Sequence, residues 1–213
     1  MDLDDWSVAA VRARVARHLA RFVPLPVAAD GLRRAAVCVC LVERRGAAHV
    51  VVIKRGYGGR NAGQWALPGG RLDGDETPVE AALRELSEEI GLAAAPDDVV
   101  GVLDDFRSGA GYVITPVVVF PAPQGPPRRN PAEVHSVHPV PASRLVDPAL
   151  PRWREQPDGA ALLQMPLRRD MVIHAPTGAI LWQFREVALL GRTRRVADAA
   201  EPSFVVSGAH PRP

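Results

Sequence analysis

Three glutamates, Glu85, Glu88 and Glu89, stand within five residues of one another in this 213-residue chain. On a helix, residues three and four apart are neighbours, so the three carboxylates converge on one surface. Three like charges on one short face destabilise an isolated helix, and a divalent cation removes the repulsion. Hard oxygen donors of this kind suit Mg2+ or Mn2+. Arg84, beside them in sequence, can neutralise and orient one of the glutamates.

The segment that carries these residues has the marks of a helix over 78–90. Thr77 followed three residues later by Glu80 is a capping box, and Pro78 falls at the first helical position, where its missing N–H costs nothing. Gly91 closes the helix from the position after its last turn. Leu83, Leu86 and Ile90 supply a buried stripe, which leaves the glutamates on another part of the surface.

Around this helix the chain reads as strands and turns. Residues 5–22 are an amphipathic helix, with Val8, Val11, Val15, Leu19 and Phe22 at helical spacing and Arg14, Arg17 and Arg21 nearly opposite, a solvated face. Pro24 and Pro26 end it. The runs 35–43 and 50–54 read as strands joined in a hairpin across Arg45 and Gly46. A Gly-rich stretch over 56–70 leads to the central helix, and 99–106 and 112–120 read as two further strands. Residues 121–131, with five prolines, form a loop before strand-like sequence resumes at Val134. A second loop covers 150–160, a helix covers 179–190 and closes at Gly191, and the residues from Arg192 onward form a surface tail. Three segments follow: an N-terminal helical extension over 1–28, a domain over 29–192 and a C-terminal tail over 193–213. Strands on both sides of a helix with mostly hairpin connections predict an α/β sandwich with a mixed sheet.

Composition narrows the function classes. Hydrophobic residues make up 47% of the chain and the formal net charge is +2, values that exclude wholesale disorder and argue against a dedicated nucleic-acid binder. No stretch reaches the 18 or so uninterrupted apolar residues of a membrane span, and the acidic start lacks the order of a signal peptide. A cytoplasmic protein without nucleic-acid or membrane partners is expected, and a homodimer stays open. Cys38 and Cys40, one residue apart on a strand, are read as buried small hydrophobes, because a bridge over one residue would be badly strained.

Residues 70–92, GRLDGDETPVEAALRELSEEIGL, carry Gly70, Glu76, Arg84, Glu85, Glu88, Glu89 and Gly91 at the spacing G-x5-E-x7-R-E-U-x-E-E-x-G-U, with Leu86 and Leu92 in the apolar U places. This is a complete Nudix box, and the chain resembles a Nudix hydrolase. The resemblance implies a Nudix-type α/β/α sandwich and hydrolysis of a diphosphate linkage in a nucleoside diphosphate derivative, with Mg2+ or Mn2+ as cofactor. It implies Glu85, Glu88, Glu89 and the Gly69 carbonyl as metal ligands, with Glu76 and Arg84 in support. Glu85 is the box residue to double as base. In some family members a glutamate on a later loop supplies the base or a further ligand, and Glu133 is the candidate here. Trp65 and Leu67, in the preceding GQWALPGG, are read as packing residues.

The stretch ahead of the box, VVIKRGYGGRNAGQWALPGG, resembles the segment of coenzyme A diphosphatases, LLT-x-R-[SA]-x3-R-x3-G-x3-FPGG. Val51 and Val52 stand for the leucines, and Arg55, Arg60 and Gly63 recur. Ile53, Gly56 and Leu67 depart from the pattern, and one residue is missing between Arg60 and Gly63. Residues 128–148 also resemble that branch. The implied substrate is coenzyme A or acyl-CoA, cleaved to 4′-phosphopantetheine and adenosine 3′,5′-bisphosphate, with Arg55 and Arg60 available to the extra phosphate. Hydrolysis of ADP-ribose, NADH or oxidised nucleoside triphosphates is the alternative within the class, and a non-catalytic nucleotide sensor the alternative outside it. His135 and His138 are read as ordinary surface or strand histidines.

Overall fold

The computed structural model describes residues 4–58, 62–155 and 161–195. Helix α1 (Val8–Leu19) is followed by the long hairpin β1 (Arg33–Arg44) and β2 (Ala47–Arg55). The turn residues Arg45 and Gly46 have φ of 55° and 76°, the two positive values a two-residue hairpin turn of the right twist requires. Short strands β3 (Trp65–Ala66) and β4 (Gly69–Arg71) lead into helix α2 (Pro78–Ile90). Then come β5 (Val99–Val102), β6 (Phe106–Ser108), β7 (Tyr112–Val119), β8 (Val134–Pro141) and the single turn α3 (Ala142–Leu145). The described chain ends with β9 (Arg152–Glu155), β10 (Ala161–Arg168), β11 (Met171–His174), α4 (Thr177–Gln183) and a π-helical run over Phe184–Leu189.

The main sheet is mixed, as the element pattern predicts. β1 runs parallel to β7 and antiparallel to β2 and β4, while β8 pairs β2 and both β5 and β6 pair β7. Side chains alternate across a strand, so one strand serves two cores. Val39 and Leu41 of β1, Val50 and Val52 of β2, and Val118 of β7 face α1, α4 and the π-helical run. Cys38 and Cys40, Val51 and Ile53, and Val117 and Val119 face α2. Both cysteines are free and buried. The result is an α/β/α sandwich in which α2 is the one helix, among the described residues, packed on this face over the small side chains of β1.

Several elements differ from the sequence expectation, each for a physical reason. The first helix is shorter, Val8–Leu19, and Arg14 is buried rather than solvated: its guanidinium lies 5.1 Å from the Trp6 ring centroid and donates to the Asp5 carbonyl. In α2, Leu83 is only half-buried, and Ala81 and Ala82 complete the apolar stripe with Leu86 and Ile90. The strand expected over 99–106 divides in two. Between the pieces, Asp104 accepts from the Leu25 N–H and Gln183, and Asp105 accepts from the Val27 N–H and Thr115, so these carboxylates bind other segments instead of continuing a ladder. The expected loop over 150–160 contains β9, the edge of a second sheet ordered β11-β10-β9.

The helix expected over 179–190 starts at Thr177 and changes to π geometry after Gln183, before Gly191 in the left-handed region closes it. Of the expected tail, Arg194 and Arg195 are tied down, the first accepting from Gln183 through its carbonyl and the second pairing with Asp104; residues 196–213 lie outside the described residues. No helix among the described residues is long and apolar enough to cross a membrane.

Candidate metal centre

α2 is built to be held firmly at both ends. The Thr77 hydroxyl accepts the Glu80 N–H at 3.2 Å while the Glu80 carboxylate accepts the Thr77 N–H at 2.8 Å, the reciprocal box that satisfies two otherwise orphaned donors. At the other end Gly91 adopts φ 66°, ψ 23° and donates to the Ser87 carbonyl, a conformation that costs a glycine little. The buried stripe fixes the rotation of the helix on the sheet. With that rotation set, Glu85 and Glu89 point to the β4 loop, where Gly69 and Gly70 stand.

Glu89 is only 2% exposed. Its carboxylate accepts the Gly69 N–H at 3.0 Å. Burial pushes its carboxyl up from the ordinary 4.5 to about 7, against the opposing pull of the Gly69 N–H and the nearby positive charge of Arg55. Burial likewise raises Glu85, with Arg84 opposing. The two glycines are spatial requirements. A Cβ on Gly69, whose φ is 154°, would strike the β1 backbone at Ala36 and Val37, and a Cβ on Gly70 would collide with the Glu85 carboxylate.

Arg84 donates hydrogen bonds to four partners at once and lies 3.7 Å from the Asp73 carboxylate. Its guanidinium grips Glu76 through two donors at 2.8 and 3.0 Å, and reaches Glu85 at 3.1 Å, Glu88 at 2.9 Å and the Arg71 carbonyl at 3.0 Å. The planar fork is what allows this, and a lysine could not reproduce it. These acceptors, Glu76 first, keep Arg84 firmly cationic, and Arg84 in turn holds Glu76 below the usual carboxylate range.

A third carboxylate comes from far along the chain. Glu85, Glu89 and Glu133 each place an oxygen so that the three lie within 4.8 Å of one another. The loop that delivers Glu133 docks on the open C-terminal carbonyls of α2. The Arg128 N–H donates to Ile90 and the Asn130 N–H to Glu89, both at 2.8 Å, which satisfies acceptors a helix end always leaves over. Asn130 then turns the chain, its side chain accepting the Ala132 N–H at 3.1 Å, and the Glu133 carbonyl accepts the Gly56 N–H at 2.7 Å. Arg128 and Asn130 are the positioning residues that sequence reasoning missed; the Asn-Pro dipeptide at 130–131 is the one local signal of that turn.

The structure thus brings together Glu85, Glu89 and Glu133. Glu88, with its side chain 53% exposed, lies on Arg84 outside this trio. Glu76, Arg84, Gly69, Gly70 and Gly91 surround the trio in the parts just described. Arg55, at the end of β2, is close enough for its charge to act on Glu89; Arg60 lies outside the described residues. Leu67 is buried in the core and Trp65 packs edge-on against His138 with centroids 4.9 Å apart. His138 also bonds Ser136, and His135 packs on Tyr57.

A Nudix-domain family model matches residues 32–162, more than half of the chain. The chain is 36% identical over 115 residues to the Nudix hydrolase NudL of Escherichia coli O6:H1, and 35% identical over 115 residues to NudL of Escherichia coli K12. Each alignment covers 54% of this chain and 60% of the relative, so the chain spans under two thirds of the length of these curated relatives. Among solved structures it is similar to the Nudix hydrolase RenU of Mycobacterium smegmatis, at 22% identity and a TM-score of 0.48, over 78% of this chain and 91% of that one. The box residues, the sandwich that carries them and the matched family model together leave one assignment: the chain belongs to the Nudix hydrolase family.

Proposed function

We propose that the protein is a divalent-metal-dependent diphosphohydrolase that cleaves the diphosphate linkage of a nucleoside diphosphate derivative, and that its substrate is coenzyme A or acyl-CoA. The observation that carries the reaction class is the convergence of Glu85, Glu89 and Glu133 within 4.8 Å, with the Arg84 guanidinium behind them. These residues fit Mg2+ or Mn2+: the donors are hard carboxylate oxygens, and gathering three of them without a cation would be electrostatically costly. The Gly69 carbonyl and Glu88 are further oxygen donors in the same reading. When bound, the cation offsets the charge on the diphosphate oxygens and lowers the pKa of a coordinated water.

The protein's own groups do the rest. Arg84, pinned by Glu76, orients Glu85 and keeps it from swinging away. Glu89, clamped by the Gly69 N–H, fixes the distance between α2 and the β4 loop. Glu133, on the exposed loop across from them, accepts the proton of the attacking water at a carboxylate oxygen, while Glu85 is the alternative base within the box. The water oxygen bonds to one phosphorus, the bridging P–O bond breaks, and two phosphate monoesters leave. If Glu133 carries the proton, Glu133→Gln lowers kcat by on the order of 10²-fold or more with KM little changed, the mark of an interaction made in the transition state. A kcat within about twofold of wild type, less than half a kcal/mol of barrier, moves the base to Glu85.

Coenzyme A is supported by the segment at 51–70 and by the closeness of the Arg55 charge to the trio. A screen of coenzyme A, NADH, ADP-ribose, diadenosine polyphosphates and 8-oxo-dGTP tests it, with coenzyme A expected to give 4′-phosphopantetheine and adenosine 3′,5′-bisphosphate. Coenzyme A is expected to be preferred over its 3′-dephospho form by roughly ten- to a hundredfold, the value of a charge-assisted contact to one phosphate. Arg55→Ala or Arg60→Ala should remove most of that preference and leave slow hydrolysis of the dephospho compound. Equal kcat/KM for the two compounds removes the arginine argument. Rapid cleavage of ADP-ribose or NADH beside intact coenzyme A overturns the substrate assignment, and tight binding without turnover of any compound favours a nucleotide sensor.

A further inference from the structure

One exposed aromatic side chain, Tyr57, follows directly on the residue whose backbone is bonded to Glu133. Among the described residues, Val23, Leu25, Tyr57, Trp153 and Val172 are the exposed large hydrophobics, and Tyr57 is 64% exposed. Its neighbour Gly56 donates its N–H to the Glu133 carbonyl at 2.7 Å. One residue further on, the Tyr57 Cα therefore lies within about 10 Å of that of Glu133.

The ring is also held in place. It meets His135 edge-on, with centroids 5.1 Å apart and planes at 74°. It rests against Gly63, where an added Cβ would come within 3.0 Å of the ring and where φ is +67°. The Gly63 N–H donates to the Arg55 and Gly56 carbonyls at 3.2 and 3.3 Å, which fixes Gly63 beside the residues that precede the ring. An aromatic ring that is fixed on its edges and open to water has lost the freedom it would otherwise lose on binding, and this is what makes a stacking platform effective. Bases present a π-face to such rings regardless of their identity.

We infer that Tyr57 is the platform on which the planar base of a nucleotide ligand stacks while its phosphates lie at Glu85, Glu89 and Glu133. The inference rests on the proposed diphosphohydrolase reading for the position of the phosphates, and it adds the group that selects a nucleotide over a diphosphate without a base. His135 buttresses the ring, and Arg55, two residues before Tyr57, lies between base and phosphates in the same reading.

The test is equilibrium binding, which does not depend on turnover. α,β-Methylene-ADP and methylenediphosphonate, the same phosphate mimic without nucleoside, are titrated by calorimetry in Mg2+ into wild-type protein, Tyr57→Ala and Tyr57→Phe. The side chain is exposed, so neither variant should disturb folding. Wild type is expected to bind the nucleotide more tightly than the base-free compound. Tyr57→Ala should weaken the nucleotide by roughly 5- to 100-fold, the usual value of a base–aromatic stack, and leave methylenediphosphonate unchanged, while Tyr57→Phe should restore nucleotide binding. Equal nucleotide affinity in wild type and Tyr57→Ala, equal weakening of both compounds, or no measurable nucleotide binding by wild type overturns the platform. Methylenediphosphonate bound without a nucleotide advantage overturns it while the metal centre stands. A Tyr57-dependent nucleotide advantage in a protein that turns over no diphosphate compound keeps it while the hydrolase reading falls.

Discussion

Glu85→Gln and Glu89→Gln should each lower turnover of the cleaved diphosphate substrate by on the order of 10²–10⁴ while the protein stays folded. Each substitution removes one negative charge and leaves the shape nearly intact. In Glu89→Gln the side-chain oxygen can still accept the Gly69 N–H, so the clamp between α2 and the β4 loop survives without its charge. In Glu85→Gln, Arg84 keeps its two bonds to Glu76 and therefore its position. What is lost in both is attraction for a divalent cation and for the charge arrangement of the transition state. Circular dichroism and a thermal melt establish folding, and steady-state kinetics at saturating Mg2+ read the effect. Either variant folded and retaining more than about a tenth of wild-type turnover would falsify the assignment, because a charge among three clustered ligands should be worth more than that.

The part of this centre that lies on α2 was open to sequence reasoning because every device in it is local. The Thr77–Glu80 box, Pro78, Gly91 and the i, i+3, i+4 geometry of the glutamates are all contained in fewer than twenty residues, and the helix appears over Pro78–Ile90 as the spacing predicts. Glu88 marks the limit of that reasoning. Helical spacing places it with Glu85 and Glu89, but spacing carries no information on which carboxylate a neighbouring arginine will draw outward. Arg84 holds Glu88 at 2.9 Å, and the third oxygen of the trio comes from Glu133 instead.

Glu133 was legible only through the family resemblance. Its approach depends on two unpaired carbonyls at the end of α2 and on the Arg128 and Asn130 N–H groups that fill them, a contact between segments some 40 positions apart that no pattern in either segment announces. The same holds for Asp104 and Asp105. In sequence they look like the end of a strand, whereas in the fold they anchor residues near Leu25, Val27, Gln183 and Arg195. Buried carboxylates that accept backbone N–H groups from distant segments override strand propensity, and a single sequence shows the propensity alone. For β9–β11 the difficulty was punctuation. Four prolines over 148–166 suggest loop, yet β9 and β10 pair as antiparallel strands.

Removing the divalent cation should abolish hydrolysis and leave a protein whose stability depends on the proton of Glu89. Activity in excess EDTA is expected at background, with elemental analysis confirming the metal-free state; full activity there would sink the metal-centre reading. For the metal-free protein, the folded-state carboxyl of Glu89 lies near 7 against an ordinary 4.5. A group whose pKa rises on folding binds more protons folded than unfolded between those values. Its favourable contribution is therefore complete below about 4.5 and is lost as pH rises through about 7. The difference between the two values corresponds to on the order of 3 kcal/mol, with Glu85 adding in the same direction. Denaturant midpoints of the metal-free protein should accordingly fall between pH 5 and about 7.5, against the rise that most carboxylates produce when the pH leaves the acid range. Glu89→Gln, neutral at every pH, should flatten this fall and be the more stable protein at pH 8. Because the ligands must be deprotonated to bind, Mg2+ should restore the wild-type midpoint at pH 8 and have little effect on Glu89→Gln at the same concentration. A metal-free wild type that gains stability steadily from pH 5 to 8, in parallel with Glu89→Gln, would mean that Glu89 is not held in the buried, proton-hungry position that makes it a ligand.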